Sequence, residues 1–166
     1  MTGELERIFR EEQGRVVAAV AALTGDLDLA DDALQEAWIK ATSCWASGGF
    51  PDNPGAWLTA VAKNRALDHL RRQKAGRKAL SGIPKAGSDT PQEEEGPVPD
   101  LRLRLLFACC HPAIPEEGRV ALTLKLLGGL SVPEIAGAFL LSEEAMFQRI
   151  VRAKRVLKDG RIPYAE

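Results

Sequence analysis

The chemistry most densely encoded in this chain of 166 residues is the binding of a polyanion. Gln148, Arg152 and Arg155 recur at helical spacing near the C-terminus, with Arg149, Lys154 and Lys158 on their flanks. An amide and guanidinium groups on one side of a helix can bond base edges in a groove, and long cationic side chains beside them reach the phosphate walls. A second basic run holds Lys63, Arg65, Arg71, Arg72, Lys74, Arg77 and Lys78 against the single acid Asp68. It supplies further phosphate contacts, at a cost in salt sensitivity, and Asn64, Asp68 and His69 add shorter polar groups to it.

Other chemistries have weaker support. Cys109, Cys110 and His111 are consecutive, but adjacent cysteines chelate one ion poorly and no second ligand pair follows at zinc-site spacing, so neither a metal nor a cofactor is expected. Cys109 and Cys110 are expected to pack as small buried hydrophobes near the end of a helix that Pro112 terminates. The acids Asp31, Asp32 and Glu36 have no nucleophile, phosphate loop or metal spacing nearby, so the chain is not expected to be an enzyme. Three cysteines without framework spacing, and no apolar stretch long enough for a signal peptide or a membrane span, point to the reducing cytoplasm.

The elements that position these groups all show the helical period. Glu4 to Thr24 carries Leu5, Ile8, Phe9, Val16, Val20 and Leu23, and stops at Gly25. Asp28 to Trp45 repeats the pattern and runs into the loop Ser47 to Pro54; a third helix then presents Trp57, Leu58, Val61, Ala62 and Leu70. Trp57 is expected in the core, whereas Phe50 in the loop is open to either packing or stacking. From Gly76 to Pro99 the periodicity is lost among glycines, prolines and acids, including Glu93, Glu94 and Glu95. This predicts a flexible acidic linker, about 25–30 Å end to end as a coil and about 80 Å when extended. The net charge of −1 therefore conceals a strong local asymmetry.

After the linker, Leu101 to Cys110 and Pro115 to Leu127 read as helices, the latter packing through Val120, Ala121, Leu124 and Leu127. Ser131 and Glu134 form an S-x-x-E capping box with Pro133 in the first turn, opening a helix that buries Ile135, Ala136 and Phe139. Leu140, Leu141 and Ser142 interrupt it, and Ser142 can cap a second helix with Glu143 and Glu144 in its first turn. That helix places Met146, Ile150, Ala153 and Leu157 on a narrow apolar stripe, opposite Gln148, Arg152 and Arg155. A capped helix, a short turn and a basic helix together read as a helix-turn-helix. No segment alternates like a strand, so the fold class is all-α: two small helical domains, 1–75 and 100–166, joined by 76–99.

Three stretches taken together resemble bacterial RNA polymerase sigma factors of the small, two-domain extracytoplasmic-function type. Leu29-Ala30-Asp31-Asp32-Ala33-Leu34-Gln35-Glu36-Ala37-Trp38-Ile39-Lys40-Ala41 is similar to the helix that grips the polymerase. Ala56 to Arg72, AWLTAVAKNRALDHLRR, resembles the helix for the −10 element, and the terminal helix-turn-helix resembles the −35 module. FACCHPAIPEEGRVALTLKLLGGLS looks most like a subgroup whose members often carry a C-terminal extension.

The resemblance implies that Asp31, Asp32, Gln35, Glu36 and Ile39 bind the coiled-coil clamp of the polymerase's largest subunit, with the flap as a second contact. It assigns Phe50, Asp52, Asn53, Lys63, Asn64, Arg65, Asp68, His69, Arg71 and Arg72 to the −10 element. Glu144, Phe147, Gln148, Arg149, Arg152, Lys154 and Arg155 fall to the −35 element. The implied partners are core RNA polymerase, promoter DNA, and an anti-sigma factor or a C-terminal regulatory extension, with no membrane. Glu93-Glu94-Glu95 then either occupies the RNA exit channel or is a solvated tether. With net charge near zero, the free chain is expected to bind duplex DNA weakly, and with 5 % aromatics to need closely matching promoters. A stand-alone helix-turn-helix regulator, binding its operator as a symmetric dimer, is the competing reading.

Overall fold

In a computed structural model the described residues are 2–77 and 100–160, with Thr2 and Arg77 described by backbone alone. Residues 78–99, most of the expected linker with Lys78 and Glu93–Glu95, and residues 161–166 lie outside them. Among the described residues there are seven helices and no strand. The first group is α1 (Thr2–Thr24), α2 (Leu27–Gly48) and α3 (Pro54–Arg77). The second is α4 (Leu101–Cys109), α5 (Glu116–Leu126), α6 (Val132–Ala138) and α7 (Glu143–Asp159).

Local chemistry sets the breaks between α1, α2 and α3. Gly25 takes φ 67, which ends α1, and Asp26 then caps α2 by accepting from the backbone N–H groups of Asp28 and Leu29 at 2.9 and 3.1 Å. Asn53 Oδ1 accepts from Ala56 N at 3.0 Å, and Pro54 stands first in α3, where its missing N–H has no cost. The three helices pack on Val16, Val17, Val20, Leu34, Leu58 and Val61, all buried. Ala30, Ala33, Ala37 and Ala41 make a stripe of small buried side chains along α2, which lets the neighbouring helices approach closely. An aromatic chain closes one end: Phe9–Trp38 at 4.8 Å, Trp38–Trp45 at 6.0 Å, and Trp45 with Phe50 and Trp57 at 5.6 and 5.3 Å. Trp57 is thus the packing residue its spacing predicts, and Phe50 leans on the same cluster. Leu23, counted with the apolar period, is exposed in the final turn of α1.

In the second group the capping box is present in full: Ser131 Oγ accepts from Glu134 N, and the Glu134 carboxylate accepts from Ser131 N at 2.8 Å. Leu140 turns the chain with φ 53, a left-handed conformation uncommon for leucine, and Ser142 then caps α7 by accepting from Ala145 N at 3.2 Å. Two expectations need correction here. Val120 is 43 % exposed, because α5 buries Gly118, Ala121, Leu122 and Leu126 instead. A Cβ on Gly118 would lie 3.4 Å from that of Ala153, so a residue with no side chain marks the face on which α7 sits. Cys110 is exposed while Cys109 is buried, since neighbours on a helix point about 100° apart and Cys110 is already the C-cap. Burial pushes the Cys109 thiol up to about 12, with a smaller contribution from the charge of Cys110.

Glu134 also bonds Arg10 of α1, Nη2 to Oε1, at 2.6 Å. That hydrogen bond, followed by those from Ser131 N and Oγ, holds the Glu134 carboxyl down at about 2. A carboxyl depressed when folded stabilises above its ordinary range, so this contribution should be complete above about pH 4.5 and vanish as the pH falls toward 2. In an Arg10→Gln chain, carboxyl-detected NMR should find Glu134 titrating higher, closer to an ordinary glutamate. An unchanged midpoint would mean that Arg10 does not hold it.

Candidate nucleic-acid interface

On α7 the buried stripe is Met146, Ile150, Ala153 and Leu157, none more than 3 % exposed. Glu144, Gln148, Arg152 and Arg155 are exposed on the opposite side, the arrangement that the periodicity predicts. Arg152 Nε donates to the Gln148 carbonyl at 3.4 Å, a contact within one turn that leaves the guanidinium end outward. Phe147 is 53 % exposed, an apolar ring beside the polar face.

Two of the expected −35 residues face carboxylates. Arg149 Nη2 lies 3.2 Å from Glu117 Oε2 on α5, and its guanidinium sits 5.8 Å from the Phe139 ring centroid. Lys154 Nζ reaches across to α2, 3.1 Å from Asp31 Oδ2 and 3.3 Å from Asp28 Oδ1, with only 13 % of its side chain exposed. Burial lowers the Lys154 ammonium, but the charges and hydrogen bonds of Asp31 and Asp28 outweigh it and leave its pKa above the ordinary value. Lys154 is therefore a charged, mostly buried cation. Asp31, expected at the polymerase face, is its partner.

The other residues of that face behave differently. Asp32, Gln35, Glu36 and Ile39 are exposed and line a shallow groove floored by Leu29 and Ala33, with Arg65 and His69 of α3 on its far wall. Ile39 is 69 % exposed, a large apolar side chain with no packing partner to explain it. Glu36 and Arg65 approach to 3.7 Å across the groove, an exposed pair worth little to stability. Residues assigned to the polymerase and to the −10 element thus border one groove.

The remaining −10 candidates spread around α3. Asn64, Arg65, His69, Arg71 and Arg72 are exposed, and Lys63 and Asp68 are half-buried. Asp68 pairs with Arg71 at 3.3 Å, and His69 bonds Gln73 at 2.9 Å. In the preceding loop Asp52 is exposed, Asn53 spends its carbonyl oxygen on capping α3, and Phe50 is half-buried against Trp45. Asp28, Glu117 and Phe139 engage the basic side chains of α7, a role that the sequence assigned to none of them; Phe139, expected in the core, is half-buried beneath Arg149. Nothing in the local pattern marks them, because each meets its partner only through tertiary packing.

A capped helix-turn-helix with an outward basic face, attached to a bundle with a second basic helix, defines an all-helical architecture. Residues 8–76 match the family model for Sigma-70 region 2, and residues 104–157 that for Sigma-70, region 4. The chain belongs to the sigma-70 family, as a factor of the extracytoplasmic-function type. It is 38 % identical to an uncharacterized protein of Rhizobium meliloti, over 98 % of this chain and 40 % of that one. It is 27 % identical to the ECF RNA polymerase sigma factor SigE of Mycolicibacterium smegmatis, over 93 % of this chain and 60 % of SigE. With SigM of Bacillus subtilis the identity is 25 % over 93 % of each chain. The chain thus spans 40 % and 60 % of the first two relatives' lengths. No described helix is long and apolar enough to cross a membrane.

Proposed function

We propose that the chain binds core RNA polymerase in the cytoplasm and directs it to promoters by reading −10 and −35 elements. Residues 1–75 carry the polymerase and −10 contacts, 76–99 connect, and 100–166 read the −35 element. The observation that carries this reading is the construction of α7, whose four-residue buried stripe leaves Gln148, Arg152 and Arg155 outward behind a fully formed capping box. The groove of Asp32, Gln35, Glu36 and Ile39 on α2 supports it, offering acids and an amide around an exposed apolar centre. Acids and amides suit basic and amide groups on a coiled coil, and an exposed isoleucine gives such a contact an apolar core.

Adding the purified chain to core polymerase on a genomic template and sequencing the 5′ ends of the transcripts tests the proposal. New start sites sharing two upstream elements are expected. Products identical with and without the chain would overturn it. A palindrome protected from nuclease by the chain alone would instead favour a dimeric regulator.

A further inference from the structure

Phe147 is a large apolar side chain on a helix otherwise dressed for a polyanion. It is the fifth of the 17 residues of α7, inside the N-terminal stretch that a recognition helix lays against base edges. It follows buried Met146 by one residue, so it points about 100° away from the stripe that holds the helix to its neighbours. Gln148 points a further 100° or so round, to the pole where Arg152 and Arg155 also stand exposed. Val151, one turn on from Phe147, is half-buried and continues the same shoulder.

Single exposed apolar side chains are ordinary on protein surfaces. The setting of Phe147 is not. More than half of it, 53 %, is open to solvent. Among the described residues its ring takes part in no aromatic pair and has no guanidinium over it; those contacts go to Phe9, Phe50, the tryptophans and Phe139. A ring offers a phosphate nothing, and the flank cations Arg149 and Lys154 are held by carboxylates. This shoulder of α7 is therefore poorly equipped to grip a DNA backbone and well equipped to touch something apolar.

The groove fixes what that can be. The edges of the four bases present nitrogen and oxygen atoms to the major groove, and one apolar group, the C5-methyl of thymine. An A·T pair carries that methyl on the same edge as adenine N7 and N6, the acceptor and donor that a glutamine amide bonds together. Phe147 and Gln148, adjacent in the chain, supply the two matching groups.

Resting on the −35 function proposed above, we propose that Phe147 is a specificity residue that packs on the 5-methyl group of a thymine in the −35 element, beside an adenine bonded by Gln148. The contact discriminates by a single carbon, since uracil presents the same edge as thymine without the methyl. Losing one buried methyl should weaken binding by about three- to tenfold. No ion is released by such a contact, so the preference should not vary with salt.

The test uses the full chain, with and without core polymerase, to enrich duplexes from a random pool; each thymine of the enriched element is then replaced in turn by deoxyuridine. Uracil at one or two positions should weaken wild-type binding about three- to tenfold, equally at low and high salt, and should have no effect on Phe147→Ala. Phe147→Leu keeps an apolar surface and should retain part of the difference. Phe147→Lys should bind every duplex more tightly, with a salt slope steeper by about one phosphate contact, and should lose the thymine preference, a pair of effects that damage to the fold would not produce. Because Phe147 is exposed, all three variants should keep the wild-type circular dichroism.

Uracil without effect at every position overturns the proposal. So does an effect that persists in the alanine variant, because another side chain then touches the methyl, and so does a pool enriched in neither condition. Transcript mapping separates the two proposals: a uracil effect that depends on Phe147, with no new start sites, removes the polymerase reading alone, whereas new start sites with no uracil effect remove the thymine contact alone.

Discussion

Trp45→Ala is expected to destabilise the α1–α3 bundle by about 3–5 kcal/mol, the range for deleting a large aromatic from a packed core. Trp45 is 6 % exposed, and its indole lies between Trp38 at 6.0 Å, Phe50 at 5.6 Å and Trp57 at 5.3 Å, so one truncation removes three ring contacts and leaves a void at the end of the bundle. The neighbours come from α2, the loop and α3. Local collapse cannot close the gap without moving the loop. Trp45→Phe retains a ring and should cost distinctly less. Urea unfolding followed by helical circular dichroism should show a large fall in midpoint for the alanine variant and a smaller one for phenylalanine. Because Phe50 loses its support, binding to single-stranded −10 DNA in the presence of polymerase should fall under conditions where the chain is still folded, with binding to the −35 duplex retained. Matching midpoints for wild type and alanine variant would show that the aromatic chain is not what holds this end together.

How far the sequence announces its fold depends on how local the deciding chemistry is. The start of α6 is legible because a serine, a glutamate three residues on and the backbone N–H groups they bond lie within one turn, and that of α7 because Ser142 caps the Ala145 N–H with Glu143 and Glu144 in the first turn. The inner and outer faces of α7 are legible too, since one period sorts Ile150 and Leu157 from Gln148 and Arg155. The phase of α5 is not. Gly118 faces the core with nothing for a hydrophobic pattern to count, and the pattern consequently settles on Val120. Lys154 shows the limit most clearly: by spacing it is a flank cation suited to a phosphate, yet its carboxylates lie on a helix 123 residues away in sequence for Asp31. Charge pattern gives the sign of a surface, and only packing decides which opposite charge reaches it first.

Substituting Arg152 and Arg155 together by alanine should lower −35-dependent transcription by about thirtyfold to a thousandfold. A good bidentate contact to a base is worth about 1–3 kcal/mol of discrimination, and a pair near the lower part of that range gives about 2–4 kcal/mol. Both side chains are exposed, one turn apart on the side away from Ile150 and Leu157, so their loss should leave stability within about 0.5 kcal/mol of wild type. The distinction between base reading and phosphate holding decides how the result is judged. If the arginines read bases, the double variant should lose its preference for the matched −35 element over a scrambled one, while transcription from the scrambled template barely changes. If they only grip phosphates, transcription from both templates should fall by the same factor and the salt slope should drop by about two contacts. A double variant that discriminates between the two templates as sharply as wild type would remove the outward face of α7 from promoter recognition, because Arg149 and Lys154 are already engaged by carboxylates and only Glu144, Phe147 and Gln148 of the assigned residues would remain to do the reading.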